Sequence, residues 1–100
     1  MVKHIILWKL KDSLTPEEKE TVKADMKANL EGLVGKIDGL TKMEILTDSL
    51  ASSSADVMMS SEFTDEDALK AYQVHPDHQQ AANTYVRPNA EIRLSMDYEV

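Results

Sequence analysis

The chain has 100 residues and no cysteine, which excludes disulfides, thiolate metal sites and a cysteine nucleophile. That length builds one domain, residues 1–100, and leaves enough surface exposed for self-association to help. A net charge of −7 with scattered lysines disfavours phosphate backbones and anionic membrane surfaces, so no nucleic-acid or membrane partner is expected.

Residues 2–10 alternate as a strand. Val2, His4, Ile6, Trp8 and Leu10 share one face and Lys3, Ile5, Leu7 and Lys9 the other, so both faces carry bulky apolar groups. Thr15-Pro16-Glu17-Glu18 announces a helix, with Thr15 as N-cap, Pro16 at the first helical position and Glu18 completing a capping box. Val22, Met26, Leu30, Leu33 and Ile37 continue it as one stripe, and Gly32, Gly35 and Gly39 weaken and end it. Residues 40–48 read as a second strand, Met43 and Ile45 on one face and Leu40 and Leu46 on the other. A polar loop leads to a third strand over 55–63, and the short connection predicts an antiparallel hairpin.

Thr64 is then expected to cap a second helix, with Asp67 at its capping-box position. That helix runs to about Val74. His75 precedes a proline and is pushed out of helical geometry, and Pro76 starts a short helix carrying His78, Ala81, Ala82 and Tyr85. The last ten residues alternate cleanly, with Ile92, Leu94, Met96, Tyr98 and Val100 opposite Glu91, Arg93, Ser95, Asp97 and Glu99.

The order β-α-β-β-α-β predicts an α+β, ferredoxin-like sandwich: a four-stranded antiparallel sheet with helices on one face. The other sheet face is apolar on the first and third strands. A second copy packed against it would cover the patch, so a homodimer is expected.

No apolar run approaches the roughly 20 residues of a membrane span. The N-terminal segment is too interrupted for a signal peptide, so a cytoplasmic location is the default expectation. No nucleophile elbow, phosphate loop or dinucleotide fingerprint occurs. No cofactor and no metal are expected.

The densest chemistry lies in Tyr72-Gln73-Val74-His75-Pro76-Asp77-His78, a phenol and two imidazoles around a helix-breaking proline. A phenol and an imidazole can together polarise a carbonyl and move a proton near neutral pH.

These segments resemble the stress-responsive dimeric α/β-barrel domain family. The resemblance rests on the opening strand Val2–Leu10, on Ser54-Ala55-Asp56-Val57 followed by Ser61-Glu62-Phe63, on Leu69–His78, and on the ending Asp97-Tyr98-Glu99. It implies a ferredoxin-like fold dimerising through its sheets into a barrel. Many members are without an assigned reaction, some are plant stress proteins of structural character, and one is a plant polyketide cyclase that closes a ring by aldol condensation. The cyclase's histidine–tyrosine pair matches His78 and Tyr72, and a further pocket histidine matches His4.

On this reading His78 is the candidate base and Tyr72 the candidate donor to a developing enolate oxygen. His4, Trp8 and His75 are candidate substrate contacts. Trp8 also suits the core, and His75 suits a backbone-capping role at the junction. The expected function is binding of a small carbonyl compound with metal-independent, cyclase- or isomerase-like chemistry. Two alternatives stay open: a non-catalytic stress or assembly protein whose same residues only support the fold, and a dimeric-barrel monooxygenase.

Overall fold

A computed structural model describes residues 1–100. The elements are β1 (Val2–Leu10), α1 (Pro16–Glu31), β2 (Leu40–Leu46), β3 (Val57–Phe63), α2 (Glu66–Val74), α3 (Pro76–Ala81) and β4 (Ala90–Glu99), with a single π-helical turn, Ala82–Val86, joining α3 to the last connection. All strand pairs are antiparallel in the spatial order β2-β3-β1-β4, the ferredoxin-like arrangement that the element order predicts. No helix is long and apolar enough to cross a membrane.

The first helix starts as its sequence dictates. The Glu18 backbone N–H donates to the Thr15 hydroxyl and the Thr15 N–H donates to the Glu18 carboxylate, closing the capping box. It stops at Glu31, earlier than the apolar stripe, yet Leu33 and Ile37 remain buried because the turn that follows folds back onto the sheet. Glu31 ties the end of α1 to β2: its carboxylate accepts from the Ile45 N–H and from Lys27, which also donates to the Ile45 carbonyl.

Two local expectations are corrected. Strict alternation puts Leu40 opposite Met43 and Ile45, but all three are buried together, because an irregularity between Leu40 and Lys42 shifts the register of β2 against β3. The cap of α2 is Asp65, whose carboxylate accepts from the Ala68 N–H. Thr64 stays with the sheet, its N–H donating to the Gly39 carbonyl. Gly39 sits at φ +83°, and a Cβ there would lie 2.5 Å from the Ala68 Cβ, so glycine permits α2 to approach this turn.

Inside, β1, β2 and β3 bury Val2, Ile6, Trp8, Leu10, Met43, Ile45, Val57, Met59 and Phe63 beneath the helices, against Met26, Leu30, Leu69 and Tyr72. The edge strand β4 behaves differently. Arg93, Ser95 and Asp97 stand opposite Trp8, Ile6 and His4, so its polar side shares the helix-facing surface of the sheet. The helices pack over β1, β2 and β3, leaving that side of β4 accessible to water. Its apolar residues Ile92, Leu94, Met96 and Tyr98 lie on the open face with Ile5, Leu7, Met58 and Leu46. Leu94 and Met96 are 64% and 66% exposed there, a continuous uncovered apolar surface.

Candidate active site

The proline break shapes the site. In an unbroken helix the Asp77 N–H would donate to the Gln73 carbonyl, four residues back. Here His75 adopts an extended backbone and its ring Nδ1 accepts the Asp77 N–H at 3.1 Å. The Gln73 carbonyl is thereby freed, and the His78 Nδ1 donates to it at 3.3 Å. That bond selects the Nδ1–H tautomer of neutral His78 and leaves Nε2 with its lone pair.

On the sheet side, His4 is 2% exposed, at the centre of β1. Its Nδ1 is held by the Asp97 carboxylate from β4, while its backbone carbonyl accepts from the buried Ser61 hydroxyl at 3.0 Å. With Nδ1 donating to a carboxylate, the His4 Nε2 is also left as the basic nitrogen.

Tyr72 lies between the two imidazoles. Its ring centroid is 4.1 Å from that of His78 and 6.3 Å from that of His4, with Phe63 behind it at 5.0 Å. The Tyr72 hydroxyl and the Trp8 indole N–H are buried, and neither has a protein hydrogen-bond partner. Burial pushes the Tyr72 phenol far above its usual range, against an opposing effect of Arg93, so it stays a neutral O–H donor. Burial also lowers the pKa of His78, opposed by its bond to Gln73 and aided by the neighbouring Arg87, His4 and Arg93, which favours the neutral base near pH 7.

These groups surround one cavity of about 60 Å³, lined by His4, Trp8, Tyr72, His78, Arg87 and Arg93 with an apolar floor that includes Ile6, Leu30 and Met59. Four of the five residues singled out from the sequence thus meet: His4, Trp8, Tyr72 and His78. His75 is not in the lining; its ring caps α3. Asp97, Arg87 and Arg93 were not assigned roles from sequence. For Asp97 and Arg93 the readable signal is polar residues on the β4 side that pairs with the buried face of β1. The largest hollow, about 510 Å³, lies away from the histidines, between the β2–β3 loop and the open sheet face. No three His, Asp or Glu side chains cluster as a metal site.

The model of the stress responsive A/B barrel domain matches residues 2–100. The chain is similar to a dimeric protein of unknown function with a ferredoxin-like fold from Bacteroides fragilis, at 34% identity over 99% of this chain and 95% of the other, with a TM-score of 0.93. It is similar to a dabb family protein with a ferredoxin-like fold from Mesorhizobium loti, at 27% identity over 99% and 95% of the two chains and a TM-score of 0.76. A hydroxynitrile lyase from Passiflora edulis shares the fold alone, at 17% identity over 99% and 92% of the two chains and a TM-score of 0.72. No curated protein matches the sequence.

Proposed function

This chain belongs to the stress responsive A/B barrel domain family, and on that premise we propose that it binds a small carbonyl compound beside His78 and performs acid–base chemistry on it. The observation that carries this reading is the pairing of two buried, unpartnered donors, Tyr72 and Trp8, with two imidazoles whose Nδ1 atoms are already engaged. A carbonyl oxygen meets the donors, and an adjacent C–H meets a basic Nε2. His78 takes the α-proton, the Tyr72 hydroxyl stabilises the enolate oxygen, and His4, oriented by Asp97, positions the substrate or returns a proton. An α-proton acidified by a neighbouring carbonyl needs no metal for this step.

The working form in this proposal is a homodimer joined through the open sheet face. What supports it is the uncovered row Ile5, Leu7, Met58, Ile92, Leu94 and Met96, together with the dimeric character of the similar Bacteroides fragilis protein. The sheet residues that line the site, His4, Ile6, Trp8 and Arg93, belong to the helix-facing side, so pairing through the open face does not cover them.

The test is solvent deuterium exchange at the carbon next to the carbonyl of small ketones and oxo acids, followed by proton NMR. Wild type is expected to accelerate exchange, and His78→Ala to lose most of that acceleration while remaining folded. Exchange at the uncatalysed rate with wild type, across the series, would favour a non-catalytic assembly role instead.

A further inference from the structure

The chain contains two arginines, Arg87 and Arg93, and both line the His78 cavity. They arrive from different directions. Arg93 stands on β4 opposite Trp8, whereas Arg87 follows the π-helical turn after α3. Neither forms an ion pair, although the chain carries 18 carboxylate residues; the ion pairs present all involve lysines or His4. Arg87 is instead aimed by neutral groups, one guanidinium nitrogen donating to Gln79 at 3.0 Å and to the Asn83 side-chain carbonyl. Two guanidinium groups at one cavity repel each other until an anion joins them, and their planar forks match a carboxylate.

The hydrogen-bonding capacity left in the cavity is also mostly donor. Trp8 and Tyr72 are 3% and 1% exposed, and their N–H and O–H are unpartnered. A ligand suited to such a site is rich in acceptors. About 60 Å³ accommodates a handful of heavy atoms, since one water needs on the order of 10–15 Å³ of such space.

We infer that the cavity takes a short oxo acid, its carboxylate held by Arg87 and Arg93 and its keto oxygen facing the Trp8 and Tyr72 donors. The inference rests on the carbonyl-site reading above and adds the charge of the substrate and the residues that select it. Arg87 and Arg93 become specificity determinants: in a protein of net charge −7 they are the feature that admits an anion.

Pyruvate and its neutral methyl ester separate the two levels. Binding to the full-length protein is measured by titration calorimetry or NMR, for wild type, Arg93→Gln, Arg93→Lys and Arg87→Gln. Wild type is expected to prefer pyruvate over methyl pyruvate by at least about tenfold, as charged hydrogen bonds allow. Arg93→Gln and Arg87→Gln should weaken pyruvate binding much more than ester binding, shrinking that preference, and Arg93→Lys should keep part of it. Ester binding that depends on His78, with no advantage for the acid, overturns the anion inference and leaves the carbonyl site standing. If neither compound binds, the oxo-acid inference falls, and the α-exchange series decides separately on the carbonyl site. Inorganic phosphate displacing pyruvate at lower concentration than other short carboxylates do would overturn the assignment to a carboxylate.

Discussion

The His4 imidazole and the Asp97 carboxylate are 93 residues apart in sequence and directly opposite on β1 and β4, joined through the histidine Nδ1. The carboxylate fixes the ring orientation and leaves Nε2 as the free ring nitrogen of a residue that lines the cavity. His4 is buried, while the Asp97 side chain is 42% exposed, so the pair reaches from core to solvent. Asp97→Asn preserves the shape but removes the charge that holds the tautomer. Catalysed α-deuterium exchange should fall by at least about tenfold, within the range that positioned acid–base groups contribute. Thermal unfolding of the variant should stay within a few degrees of wild type; unchanged exchange rates would show that His4 needs no orienting partner.

His78 should titrate below 6.5. Burial is the main cause, with Arg87, His4 and Arg93 adding to it. In the unfolded chain the imidazole returns to its ordinary value, so above pH 6.5 it is neutral in both states and costs nothing. As pH falls below 6.5 the unfolded chain binds the proton first, and stability declines until the folded-state pKa has been passed. Histidine proton shifts across a pH series measure this directly. A midpoint at or above 6.5 for His78 would contradict the buried, neutral-base description.

The open sheet face predicts a dimer that one charge can break. Leu94 lies midway along the edge strand β4 on that face, across from Leu7. Leu94→Asp would place a carboxylate in a desolvated interface with no partner, which is strongly unfavourable. Light scattering should give twice the chain mass for wild type and the monomer mass for the variant. A wild-type monomer at tens of micromolar would refute the sheet-face interface.

Gly35 and Gly39 offer a matched comparison. Both have positive φ, 89° and 83°, but a Cβ at Gly35 meets nothing within 4 Å, whereas at Gly39 it meets the Ala68 Cβ at 2.5 Å. Gly35→Ala should cost about 1–2 kcal/mol of backbone strain. Gly39→Ala should cost about 2–4 kcal/mol, because overpacking against α2 is added. Denaturant unfolding compares them; equal losses would mean that α2 yields without resistance.

Much of this architecture could be read locally. The capping box at Thr15, the alternation of β1 and the break at Pro76 each involve residues within a few positions of one another, and all three are found. Where the structure departs from the local pattern, a contact between distant segments decides. Thr64 and Asp65 are both good caps, and the choice between them falls to the hydrogen bond from Thr64 to Gly39, a contact across the fold. Strict alternation puts Leu40 on the wrong face, because a register shift between β2 and β3 interrupts it.

From the chain alone came the element order, the ferredoxin-like topology, an apolar second sheet face and the local clustering of Tyr72 and His78, because periodicity, capping and proline geometry act over short range. Tertiary structure decided which groups meet them. Asp97 and Arg93 join the site only through the antiparallel register of β1 with β4, and Arg87 through the π-helical turn that follows α3. Burial then sets the ionisation of Tyr72 and His78, since desolvation depends on everything packed around a group and not on its neighbours in sequence.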